Sequence, residues 1–118
     1  MTHADLESFA MAKNGVTKEY PFDDKTAVYK VMGKMFLLIQ DAIDPLWFNV
    51  KCEPLYALEL RSMYESVTAG YHMNKKHWNS IMDSGELSNE ELFAFIDHSY
   101  ECVVKGLTKK QQKELQLC

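Results

Sequence analysis

Between Thr17 and Cys52 the chain carries the period of a β-sheet, and this stretch constrains the fold more than any other. Leu46, Phe48 and Val50 alternate with Trp47, Asn49 and Lys51, the pattern of a strand with one buried face. Ahead of it, Ala27–Met32 and Met35–Ile39 flank a Gly33-Lys34 turn and read as a hairpin. The run Met35–Ile39 is apolar on both faces, which predicts a central strand. Thr17–Phe22 fits a short edge strand whose pairing Pro21 ends. Asp23-Asp24-Lys25 is a polar turn, and Asp41–Pro45 a loop.

On either side of this block the period changes to that of helices. Thr2-His3-Ala4-Asp5 has the form of a capping box. It opens a short amphipathic helix at Asp5–Lys13, which Asn14-Gly15 stops. Glu53-Pro54 opens a second helix, with Pro where a missing N–H costs nothing. Its predicted stripe is Tyr56, Leu60, Met63 and Val67, and Gly70 breaks it. A strand at Trp78–Met82 follows, then a turn at Asp83–Glu86. Ser88-Asn89-Glu90-Glu91 is a second capping box, leading a helix with Leu92, Ile96, Ser99/Tyr100, Val103 and Leu107 on one face. Thr108–Gln111 caps a last, solvated helix. The order is helix, three or four strands, helix, two strands, long helix, short helix. It predicts a two-layer α+β domain, an antiparallel sheet with helices packed on one face.

The 118 residues suit one domain, 1–118. A composition of 47% hydrophobic and 25% charged residues argues against disorder. No apolar run reaches the roughly 18 residues a membrane helix needs, and Met1–Glu7 does not read as a signal peptide. The expectation is a cytoplasmic protein. Cys52, Cys102 and Cys118, odd in number and without a CxxC pair, suit free thiols in a reducing compartment. Cys52 and Cys102 are expected in the core and Cys118 at the surface.

Catalytic patterns are sparse. Ser80 and His77 are three apart on a strand and face opposite sides. His98 and Cys102 are one helical turn apart and could meet, but their apolar neighbours suit a core cysteine. No phosphate loop of the Walker or Rossmann type is present. His72 and His77 lack the further ligands that zinc requires. The expectation is a non-enzyme with no metal and no cofactor.

The densest polar and aromatic stretch is Gly70-Tyr71-His72-Met73-Asn74-Lys75-Lys76-His77-Trp78-Asn79-Ser80. Its phrase His-Met-Asn-Lys, one residue, His-Trp resembles the signature of the MmcQ/YjbR family. The surrounding pattern of helices and strands extends the resemblance over nearly the whole chain. That resemblance implies a CyaY-like or secretion-chaperone-like fold and a DNA-binding role, with hairpins acting as wings. In such a role Lys75 and Lys76 would meet phosphates, and Asn74, His72, His77 and Trp78 would shape the contact. Lys30 and Lys34, near the Gly33 hairpin, would form a second wing.

Each of these residues also has a structural use. Trp78 can plug the core, Asn74 can cap a turn, and adjacent lysines can be a solvated face. Net charge weighs against DNA: 13 basic and 17 acidic residues leave −4. The alternative is a protein- or small-ligand-binding domain using the sheet face of the same fold, as a monomer or weak dimer.

Overall fold

A computed structural model describes residues 1–41 and 43–117. Ala42, in the expected 41–45 loop, and Cys118, expected at the surface, lie outside the described residues. In chain order the elements are α1 (His3–Met11), β1 (Val16–Glu19), β2 (Thr26–Val31), β3 (Lys34–Gln40), β4 (Trp47–Lys51), α2 (Pro54–Met63), β5 (Val67–Ala69), β6 (Trp78–Met82), α3 (Asn89–Lys105) and α4 (Lys109–Gln116). The strands form one antiparallel sheet in the order β1-β2-β3-β4-β6-β5. No helix among the described residues is long and apolar enough to cross a membrane.

Three helices start where the side chains can satisfy free N–H groups. Thr2, Ser88 and Thr108 each close a capping box, with Asp5, Glu91 and Gln111 reaching back to the cap. α3 crosses β3 and β4, and its buried face is Leu92, Phe95, Ile96, Ser99 and Val103. α1 buries Leu6 and Ala10 against β1 and α3. The main core therefore lies on one face of the sheet, and the helices cover it.

The two-faced character of β3 has a specific cause. Tyr29 pairs with Leu37 but the next residue, Lys30, pairs with Met35, so Phe36 is the extra residue of a β-bulge. Phe36 and Leu37 consequently both enter the helix-covered core. Met35 and Leu38 turn to the other face, where Val28 and Trp78 lie. A bulge leaves backbone groups without ladder partners, and Ser99 supplies them. Its buried hydroxyl donates to the Phe36 carbonyl and accepts from the Lys51 N–H at 2.8 Å. The hairpin turn falls at Met32-Gly33 rather than Gly33-Lys34. Both residues have positive φ, 50° and 78°, as a two-residue turn matching the strand twist requires.

Two other expectations are corrected. α2 stops at Met63, not Val67, and Met63 is exposed. Val67 instead pairs with Ile81 in β5, where β-branched Val67 and Thr68 suit a ladder. The short edge strand ends at Glu19 and leaves Tyr20–Phe22 outside it. Cys52 is buried as expected, whereas Cys102 is only half-buried.

Replacing Ser99 by Ala removes one hydroxyl and strands two backbone groups. The expected loss is roughly 2–4 kcal/mol in urea unfolding with an unchanged denaturant slope. Glu91 offers a second test. Its carboxyl accepts from the Ser88 N–H and the Tyr64 hydroxyl and lies beside the Ser88 side chain, which hold it below the ordinary 4.5. The stability this contributes is complete above about pH 4.5 and lost as the pH falls through the lowered value. In Glu91→Gln, acid unfolding followed by circular dichroism should have a shallower limb below that pH.

Candidate functional site on the open face of the sheet

The face opposite the helices carries a second apolar cluster of Val28, Leu38 and Trp78, with Met35 and Met73 packed on it. Met73 belongs to the loop between β5 and β6, which folds back over the sheet. Gly70 makes that possible. A Cβ there would lie 2.7 Å from the Trp78 Cβ and 3.0 Å from the Met73 Cβ and the Trp78 carbonyl oxygen. The bare backbone instead donates its N–H to the Trp78 carbonyl at 2.9 Å. The Gly70 carbonyl accepts from the Met73 N–H at 3.2 Å and the Lys75 ammonium at 3.0 Å. One residue on, the Tyr71 N–H donates to Ser80 Oγ at 2.9 Å.

Arg61, on α2, locks the far side of the loop. Its Nε donates to Asn79 Oδ1 at 2.6 Å, and its Nη2 to the Trp78 carbonyl at 3.1 Å and to the Lys75 carbonyl. Asn79 is fully buried and donates to the Ala57 carbonyl at 3.4 Å. One planar, forked side chain thereby joins α2, β6 and the loop. Nothing in the sequence reading pointed to Arg61. It is the chain's single arginine, and that was the available signal.

Of the sequence-predicted site residues, His72, Asn74 and Trp78 come together at one cavity, described below, and Lys30, Lys34, Lys75, Lys76 and His77 do not line it. Trp78 is only 8% exposed and belongs to the open-face cluster. Asn74 turns its Oδ1 onto the Lys76 N–H at 2.9 Å, a turn cap. Lys75 folds back on Gly70, and Lys76 is exposed. Lys30 pairs with Glu19 across β1 and β2. Lys34 lies beside Lys51 and Trp78 in a shallow groove near the end of α3. His72, at φ +58°, borders the cavity described below, whereas His77 lines a different groove with His98 and Cys102. Neither the open-face cavity nor the grooves that Lys34 and His77 line holds two of Lys30, Lys34, Lys75 and Lys76.

The possible catalytic pair does form. Cys102 Sγ lies 3.4 Å from His98 Nε2, which also accepts from the Glu53 N–H at 3.3 Å. Burial, however, pushes the Cys102 thiol up, away from the nucleophilic thiolate. Ser80 is bonded to Tyr71 and Asn49.

What the loop builds is a cavity of about 580 Å³ on the open face. Leu38, Met35, Met73 and Trp78 make its apolar base, and Asn49 and Gln40 add polar groups. Phe22 stands on one side, 65% exposed, and Tyr71 on the other, 57% exposed. Trp47 and His72 flank Tyr71, with ring centroids 5.6 Å and 4.0 Å from it. The lining contains neither lysine nor arginine. Its one carboxylate, Asp23, accepts from the Lys25 and Thr26 N–H groups, which hold it below the usual carboxylate range.

Six antiparallel strands with helices on one face and a loop-walled cavity on the other define an open-faced α+β domain. The chain belongs to the YjbR family, whose model matches residues 11–102. It is 37% identical to the uncharacterized protein YbdF of Escherichia coli O157:H7, over 96% of this chain and 93% of that one. It is 28% identical to the uncharacterized protein YjbR of Escherichia coli K12, over 98% of each. The crystal structure of Deinococcus radiodurans protein DR2400, a DUF419 domain, is similar at a TM-score of 0.91 and 37% identity, covering 98% of this chain and 88% of that one. A Pseudomonas syringae protein, 22% identical, shares the fold at a TM-score of 0.74, over 86% of this chain and 98% of its own.

Gly70→Ala tests the loop's seat. The added methyl has no room between Trp78 and Met73, so the loop must lift. The expected cost is about 1–3 kcal/mol, with faster amide exchange at residues 71–77.

Proposed function

We propose that this protein is a non-enzymatic binding module whose open-face cavity takes a small molecule. The observation that carries this reading is the cavity itself. A volume of about 580 Å³ lies within the roughly 300–1,000 Å³ of small-molecule sites, and its apolar base with a few polar groups is their usual chemistry. Two large exposed aromatic side chains, Phe22 and Tyr71, face water at its mouth and gain by being covered. The concave shape favours a small molecule over a flat protein surface.

The DNA-binding reading rests on Lys76 and Lys34, the candidate lysines whose side chains bond to no other group among the described residues. Phosphate neutralisation needs several cations along one track. Lys30 is committed to Glu19, Lys75 to Gly70, and the Trp78 ring has little free face on which a base could stack.

One paired experiment separates the two. A fragment set is screened by protein NMR, and binding to random duplex and single-stranded DNA is measured at two ionic strengths. The expected result is fragments that move resonances of Leu38, Asn49 and Tyr71. Tyr71→Ala should weaken them about three- to tenfold with little change in melting temperature. Duplex binding with a steep salt slope, abolished by Lys34→Glu with Lys76→Glu, and no fragment in the cavity would overturn the proposal in favour of DNA.

A further inference from the structure

Asn49 is 7% exposed, lies on the cavity's sheet wall, and is held in one orientation by a hydrogen-bond relay. The Tyr71 N–H donates to Ser80 Oγ, so that hydroxyl is left to spend its own proton elsewhere. It donates to Asn49 Oδ1. In this arrangement the amide's oxygen meets the hydroxyl proton, and its NH2 group is left for another acceptor. Its carbonyl is occupied, and no group among the described residues accepts from Nδ2. Tyr71 belongs to the loop and Ser80 to β6, so the loop that walls the cavity also sets the amide's direction.

An NH2 donor on a mostly buried residue, open to the cavity and without a protein acceptor, is a recognition group for a ligand acceptor. The other lining groups narrow the ligand further. Neither lysine nor arginine lines the cavity to meet an anion, the imidazole of His72 is its one basic side chain, and Asp23 places a negative charge at the rim. Phe22, Trp47 and Tyr71 present ring surfaces, which favour a flat partner.

We infer that the cavity selects an uncharged, planar, ring-bearing molecule whose in-plane acceptor, a ring carbonyl or ring nitrogen, receives a hydrogen bond from Asn49 Nδ2. This rests on the small-molecule reading above and names the class of ligand it takes. The Ser80 hydroxyl and the Tyr71 backbone are positioning groups, acting through the amide.

The test uses three bicyclic probes on the full chain. Coumarin is planar and neutral and carries a carbonyl acceptor without a donor. Naphthalene has similar shape and no acceptor. 2-Naphthoate adds a negative charge. Titration by NMR gives each dissociation constant, and the side-chain NH2 signals of Asn49 report the hydrogen bond directly. Coumarin should bind about tenfold tighter than naphthalene, the increment of one neutral hydrogen bond to a buried donor, and should shift the Asn49 NH2 signals downfield. 2-Naphthoate should bind weakest. In Asn49→Asp, which keeps the oxygen that Ser80 needs and replaces the donor by an acceptor, the advantage of coumarin should vanish while naphthalene binds as before. If that variant fails to fold, the NH2 shift in the unaltered protein still decides. Equal binding of coumarin and naphthalene, or unmoved Asn49 NH2 signals with coumarin in the cavity, overturns the acceptor rule and leaves the cavity reading intact. Tightest binding by 2-naphthoate overturns the uncharged class. No probe reaching the cavity at millimolar concentration overturns this inference. It leaves the broader small-molecule reading to be decided by the fragment screen.

Discussion

The open face of the sheet depends on one close approach, the backbone of Gly70 against Trp78. With 2.7 Å between the indole's Cβ and where a Cβ of residue 70 would stand, only a residue without a side chain can sit there. From this contact the loop gains its bond to the Trp78 carbonyl, its cover over the ring through Met73, and its hold on Ser80 through Tyr71. Arg61 braces the same loop from α2 by donating to the Lys75 carbonyl and adding a second bond to the Trp78 carbonyl. A loop free of these ties would leave the sheet face flat and Trp78 wet. With them it becomes a wall, and a concave surface follows.

Charge is spent on the frame rather than gathered at a site. Lys13 joins Asp97, Lys18 joins Glu7 and Lys30 joins Glu19, each pair crossing between elements. Lys13 also lies over the rings of Phe9 and Tyr100. Partly exposed pairs of this kind contribute little to stability, but each occupies a cation that a polyanion would need. The cavity by contrast is lined by neither lysine nor arginine, and its one carboxylate, Asp23, serves its own turn. A chain of net charge −4 thus keeps this cavity mainly apolar and hydrogen-bonding.

Much of the fold was legible before the coordinates. Capping boxes at Thr2, Ser88 and Thr108 are local, because the cap and its partner are three residues apart. The stripe of α3 and the alternation in β4 were readable for the same reason, since periodicity is a property of neighbours. The bulge at Phe36 was not. A doubly apolar run fits a regular strand and a bulged one equally, and the register with β2 decides between them. The end of α2 was misread because Val67 falls at helical spacing, while its partner Ile81 is 14 residues away. At the site, the stretch 70–80 stood out for its polar and aromatic residues, but that Lys75 turns back on Gly70 and Lys30 pairs with Glu19 was not readable from local pattern.

By itself the sequence determined the class of domain, the helix starts, the central strand and the stretch densest in polar and aromatic residues. Those follow from interactions between residues a few positions apart. Only the tertiary structure decided which way that segment faces. Whether Trp78 is a platform or a floor, and whether Asn49 has a free donor, depends on Gly70, Arg61, Ser80 and β4 meeting across separations of 8 to 31 residues. No local pattern encodes such meetings, because they are settled by how the sheet is ordered and which face the helices take.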